Sequence, residues 1–183
     1  MFNFKRIFDI VLSLFGLIIF GWLIILLWIL AIIDTKSNGF FFQERIGQFG
    51  KIFEIVKLKT MHPKTGSISQ LGSFLRKSKL DELPQFWNVV IGDMSFVGPR
   101  PDIVGYYDVL EGDNRKILEL KPGLTCLASI KYANEEEILE TQENPLLYNN
   151  TIIFPDKVQL NLDYYYKHSL VGDIKIILKT IFR

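Results

Sequence analysis

At 183 residues the chain has room for one compact domain with a sizeable core. Hydrophobic residues make up 49% and aromatic residues 14%, and the formal charge is only +1. Lys5 and Arg6 against Asp9 account for that charge, so residues 34–183 are neutral, which excludes a general polyanion binder such as a DNA-coating protein.

No charged residue falls between Ile10 and Ile33. A helix of that length reaches roughly 36 Å, enough to span a hydrocarbon core. The run is too long for a signal-peptide core and no small-x-small cleavage site follows, so a retained membrane helix is expected. Lys5 and Arg6 favour a cytoplasmic N-terminus, yet the flank after the run is also basic through Lys36, Arg45 and Lys51. A helix that bends and returns to the same face would resolve this, with Gly21 as the weak point near its midpoint and Gly16 the other glycine. From the residues alone, a simple crossing is favoured over a bend.

Phe40-Phe41-Phe42-Gln43 reads as a short strand or an interfacial aromatic patch. The alternation over residues 52–58 predicts a strand, and residues 62–67 a loop. Residues 71–77 predict a helix with Leu71, Phe74 and Leu75 on one side. Leu83, Phe86, Trp87, Val90 and Ile91 make the stripe of another. That second helix starts either from a capping box of Ser78 and Asp81 or with Pro84 as its first residue. Residues 106–120 predict a helix ended by Lys121-Pro122-Gly123, and residues 134–162 mix helix and loop. Residues 171–183 are amphipathic, with Ile174, Ile177, Leu178 and Ile181 on one face and Lys175, Lys179 and Arg183 elsewhere. They form either an interfacial helix or a core one. Cys126 is the sole cysteine, so no intrachain disulfide exists, and a structural thiol is expected. His62 and His168 read as surface residues.

Two features carry chemistry. Lys79-Leu80-Asp81-Glu82-Leu83-Pro84-Gln85 sets two adjacent carboxylates beside Arg76, Lys77 and Lys79. Gly92-Asp93-Met94-Ser95-Phe96-Val97-Gly98-Pro99-Arg100-Pro101 follows, ending in a stiff turn that presents a guanidinium. Carboxylates near a helix start also serve as plain capping groups, and Arg100 also suits a structural ion pair. The whole grouping, beside a membrane segment, points to chemistry on a phosphate. From residue 45 to residue 79 eight Lys and Arg stand against the single acid Glu54, whereas Glu135, Glu136, Glu137, Glu140 and Glu143 form an acidic stretch.

On these residues the chain resembles the bacterial sugar transferases, the monotopic phosphoglycosyl transferases. The motifs that carry the resemblance are Lys5-Arg6-Ile7-Phe8-Asp9, Phe42-Gln43-Glu44-Arg45-Ile46-Gly47, Lys57-Leu58-Lys59-Thr60-Met61, the acidic run over 80–85, the segment over 92–101, and Lys121-Pro122-Gly123-Leu124-Thr125. Six matches in this order cover most of the chain. The resemblance implies an α+β fold, mainly helical. Residues 1–36 would form a re-entrant membrane helix, and residues 37–183 one small cytoplasmic catalytic domain with interfacial amphipathic helices. It thereby reverses the preference for a crossing. Two departures stand out. Gly21-Trp22 takes the place of the family's helix-breaking Ser-Pro, and residues 126–137 differ from the usual continuation after Thr125.

The implied reaction moves a sugar-1-phosphate from a UDP-sugar to polyprenyl (undecaprenyl) phosphate at the bacterial inner membrane, releasing UMP. It would begin a lipid-linked glycan. Asp81 is the implied nucleophile, and Glu82 either binds metal or positions and deprotonates a group in the second step. Arg76, Arg100, Pro101 and Lys59 bind phosphate or substrate, and Asp81 and Glu82 hold Mg²⁺. Asp93 is a supporting carboxylate or a helix-terminal residue. The implied partners are the donor, the lipid acceptor, membrane phospholipid and a second copy in a homodimer, with no nucleic acid. The rival readings are a membrane-anchored aspartyl phosphatase or phosphotransferase with another acceptor, and a silent scaffold.

Overall fold

The computed structural model describes residues 2–182; Arg183, the last residue of the expected C-terminal amphipathic segment, lies outside them. The chain forms two compact units, one from residues 1–45 and 53–93, the other from residues 46–52 and 94–183.

Helix α1 (Phe2–Thr35) dominates the first unit and is helical at every position, Gly16 and Gly21 included. It is long and apolar enough to cross or insert in a membrane. Phe4, Ile7, Val11, Phe15, Ile18, Trp22, Ile25, Ile29 and Ile33 are exposed along it. A second stripe, Asp9, Ser13, Leu27, Ala31 and Thr35, is buried. The early part of that stripe lies against α3 (Gln85–Ile91), and the polar residues there have a definite task. A helix end leaves its last carbonyls without intrahelical partners. The Arg6 guanidinium donates to two of them, Val89 O at 2.5 Å and Val90 O at 2.7 Å, and Ser13 donates to Phe86 O at 2.8 Å.

The far end of α1 is tied to the same unit. Leu27 packs with Leu58 and Leu75, and Asp34 accepts from Ser69 at 2.6 Å. Ser69 in turn caps α2 (Gln70–Lys77) by accepting from Gly72 N at 2.9 Å. Nothing packs against Gly21. Leu75 is the buried residue of α2's expected stripe, whereas Phe74 is 59% exposed. Strands β1 (Phe40–Ile46) and β2 (Ile52–Leu58) form a two-stranded sheet, the second with the bounds expected from its alternation.

In the second unit β3 (Ser95–Val97) runs parallel to β4 (Gly123–Thr125), with Ser95 opposite Gly123 and Val97 opposite Thr125. Just beyond β3 the two backbones approach so closely that a Cβ on Gly98 would overlap Lys121 O, and one on Gly123 would overlap Gly98 N. This crossing places the Pro99-Arg100 arm, and Gly123 N donates to Pro99 O at 2.8 Å. The helix expected over residues 106–120 does not form. Two 3-10 segments, Tyr107–Val109 and Gly112–Glu119, replace it, separated by extended Leu110 and Glu111, the second opening on Gly112 at φ +58°. Burial decided the outcome: Tyr107, Ile117 and Leu118 enter a core with Ile46, Val158 and Leu162, with Leu110 packed against it.

Helix α4 (Leu127–Lys131) is capped by Cys126, whose sulfur accepts from Ser129 N at 3.3 Å, so the buried thiol is structural. The acidic stretch forms α5 (Glu135–Glu140), and α6 (Pro145–Tyr148) leads through a π-helical turn into α7 (Phe154–Lys167). His168 caps the end of α7, and α8 (Leu170–Ile181) follows. Helix α8 has one inner face, with Asp173 and Ile176 buried, while Val171, Ile174, Leu178 and Ile181 are exposed. Two polar ties hold it beneath the strands. Thr125 and Thr180 hydroxyls lie 2.6 Å apart, and Tyr164 donates to Asp173 at 2.6 Å while its hydroxyl lies 3.2 Å from Val97 O. The architecture is therefore mixed α and β, mostly helical, with one long apolar N-terminal helix.

Candidate active site

The acidic run is a linked series of turns between α2 and α3. Ser78 ends α2, its hydroxyl bonding back to Phe74 O at 2.7 Å; it does not cap the following helix. Lys79 then takes the left-handed region, φ +57°. A non-glycine residue there costs about 1–2 kcal/mol, strain of a kind that collects at functional sites. A single 3-10 turn, Leu80–Glu82, carries both acids, and Pro84 caps α3 without lending a side-chain bond. Of the two starts expected, the one at Pro84 is observed.

Asp81 is 7% exposed, and its Oδ1 is buried with no hydrogen-bond partner. Burying a carboxylate oxygen without a partner is costly, so this atom is held for something other than stability. Burial raises the Asp81 pKa above the ordinary carboxylate value and the adjacent Glu82 carboxylate adds to the rise, while the Lys57 and Lys79 ammonium groups oppose it. Glu82 is held differently: Lys57 Nζ lies 2.9 Å from its Oε1.

Of the other expected site residues, Arg76 lies in the same unit. Its Nε donates to the buried Thr60 hydroxyl at 2.7 Å, which fixes the base of an exposed guanidinium. Gly72 permits that arrangement, because a Cβ there would overlap Thr60 O. Lys59 is turned toward Asn38, with Nζ 3.2 Å from Oδ1. Arg100 and Pro101 belong to the second unit, where Arg100, exposed, lines a shallow recess with Ile46, Gly47, Pro99, Tyr107 and Pro122. Asp93 follows α3 at its C-terminal end, its N–H donating to Asn88 O at 3.0 Å. His62 accepts from two backbone N–H groups in its own loop.

Sequence reasoning passed over two residues of this site. Lys57 shares a strand face with Phe53 and Ile55, so an ammonium pointing the way of buried Ile55 was the available signal. Asn88 is 2% exposed and joins α3 to β2, donating to Glu54 O at 2.7 Å and accepting from Val56 N at 3.1 Å. A lone Asn in a run of otherwise apolar residues, off the expected stripe, was its only trace.

Hard oxygen donors suit a hard dication. Asp81 Oδ1 has no hydrogen-bond partner, and the Glu82 carboxylate adjoins it in sequence. Among the described residues no group of three or more His, Cys, Asp and Glu forms a metal cage. These two carboxylates could therefore hold Mg²⁺ only together with water or substrate oxygens.

Comparison with known proteins gives the same direction. The galactosyl transferase CpsE of Streptococcus agalactiae is 33% identical, over 97% of this chain and 41% of its own length. UDP-glucose:undecaprenyl-phosphate glucose-1-phosphate transferases of Caulobacter vibrioides and Klebsiella pneumoniae are 30% and 34% identical. They align with 97% and 98% of this chain, and with 68% and 40% of their own lengths. The chain thus spans about two fifths of the length of two of these three relatives. The bacterial sugar transferase family matches residues 1–183, so both the acidic turn and the Gly-Pro-Arg arm fall inside the match, and the chain belongs to that family.

Proposed function

We propose that this transferase moves a sugar-1-phosphate from a UDP-sugar to polyprenyl phosphate, through a phosphosugar ester on Asp81. The observation that carries the reading is the buried, unpartnered Asp81 Oδ1 in a strained turn. An oxygen already stripped of hydrogen bonds needs no desolvation before it attacks. In the first step an Asp81 oxygen bonds to the donor's β-phosphorus, the bond from that phosphorus to the α–β bridging oxygen breaks, and UMP leaves with that oxygen. In the second, a phosphate oxygen of the polyprenyl acceptor attacks the same phosphorus, and the acyl–phosphate bond breaks to restore the Asp81 carboxylate. Glu82 adjoins Asp81 in the turn, and the motif positions of Arg76, Arg100 and Pro101 assign them to the substrate's phosphates. Bound Mg²⁺ would neutralise charge on the diphosphate oxygens. Two of the named relatives are UDP-glucose:undecaprenyl-phosphate glucose-1-phosphate transferases, which supports this donor and acceptor class.

The same reading places the protein on the cytoplasmic face of the bacterial inner membrane, with α1 re-entrant. Contacts at both ends of α1 support this. Arg6 and Ser13 bond α3 near one end, Asp34 bonds the start of α2 near the other, and all lie in one unit. A helix that crossed the bilayer would need that polar unit on both sides at once.

The test is UMP release and intact-protein mass after donor exposure. Turnover should require both a UDP-sugar and polyprenyl phosphate, and donor alone should add one phosphosugar mass that is absent in Asp81→Asn. Steady turnover without lipid would instead make water the acceptor. An active Asp81→Asn enzyme would remove the nucleophile assignment.

A further inference from the structure

Lys57 Nζ lies 2.9 Å from Oε1 of Glu82, one of the two acids of the turn. It reaches Glu82 from strand β2, twenty-five residues away in sequence, and both side chains are largely shielded, at 17% and 14% exposure. An ammonium and a carboxylate so placed hold each other firmly, because losing one leaves the other's charge buried and uncompensated. The choice of partner is the informative part. Of two adjoining carboxylates the lysine takes Glu82, and the Asp81 oxygen stays bare.

We propose that Lys57 is a positioning residue for the phosphoryl transfer: it draws the Glu82 carboxylate to itself, so that Asp81 Oδ1 stays unobstructed for attack on the donor phosphorus. This rests on the nucleophile reading above. Its ammonium also offsets one of the two negative charges that an incoming diphosphate must approach. Asn88 fixes the strand that carries it. By bonding the backbone of Glu54 and Val56, Asn88 sets β2 against α3, and so sets the reach from Lys57 to the turn.

The experiment uses the full chain in lipid nanodiscs, with undecaprenyl phosphate and whichever of UDP-glucose, UDP-galactose and UDP-N-acetylglucosamine gives the fastest wild-type turnover. The rate of the first UMP burst is followed by rapid quench, alongside the melting temperature. Lys57→Met should slow the burst about a hundredfold, the scale of a broken shielded ion pair. Lys57→Arg, which keeps the charge, should recover to within about tenfold of wild type. In a Glu82→Gln background, Lys57→Met should slow the burst no further, because its effect passes through Glu82. Full additivity with Glu82→Gln, or an Arg variant as slow as Met, would overturn the assignment. So would a normal burst with only the lipid step slowed. If Lys57→Met loses its melting transition, Lys57→Gln takes its place in the same cycle. A wild-type protein that turns over but forms no Asp81 adduct overturns the nucleophile reading, whereas an adduct formed equally well without Lys57 overturns this inference alone.

Discussion

Two neighbouring acids in one turn are held in opposite ways. Glu82 is paired; Asp81 Oδ1 is not. Their adjacency is visible in the sequence, but the difference between them is not. It depends on a lysine that only the folded strand brings near. At this scale the expected outcome for Asp81→Asn is loss of UMP release by at least about 10³-fold, as for removal of other covalent nucleophiles. The melting temperature should hold or rise, since a buried unpaired oxygen contributes nothing to stability. Asp93→Asn should keep substantial activity in the same assay, because Asp93 sits past the far end of α3 from the acids. Lys59, expected from its motif position to bind phosphate, lies with Nζ 3.2 Å from Asn38 Oδ1.

Elements were legible where one local preference dominated. The alternation of β2 and the apolar length of α1 each predicted the element that forms, and a helix forms over α3 as well, although it buries Gln85, Asn88 and Val89 while Trp87 and Ile91 of the expected stripe are exposed. Residues 106–120 failed because helical spacing competed with burial: two 3-10 segments place Tyr107, Ile117 and Leu118 in one core, with Leu110 packed against it, and Gly112 opens the second at a positive φ. Asn88 was unreadable for a related reason, as both its partners are backbone groups of a strand distant in sequence. Asn88→Leu should cost about 1–3 kcal/mol by leaving Glu54 O and Val56 N without their partner. A denaturant melt of the full chain measures it. Gly72→Val should cost a similar about 1–3 kcal/mol through overlap with Thr60 O. It should also lower activity further by shifting Arg76, whose Nε bonds the same threonine, an effect that assay of the still-folded fraction reveals.

For the whole molecule, the proposed return of α1 to one membrane face rests on where the helix is fastened, which hydropathy does not disclose. The run of apolar residues announced a membrane helix, and its two basic flanks left crossing and returning unresolved. Cysteines placed near Lys5 and near Lys64 should both be shielded from an impermeant reagent applied outside intact cells, and labelling at only one would establish a crossing. Arg6→Ala should cost about 1–2 kcal/mol, since α3 would lose the donor to its last carbonyls. Thermal unfolding in nanodiscs provides the comparison.

The crossing of Gly98 and Gly123 has a consequence for how this chain can change. Neither backbone leaves space for even one methyl group on the other, so no compensating substitution can be found across the contact. In a saturation-mutagenesis map scored by glycan-dependent growth, these two columns should tolerate a single letter each. They should stay blank in every second-site suppressor screen, because what would have to yield is main chain.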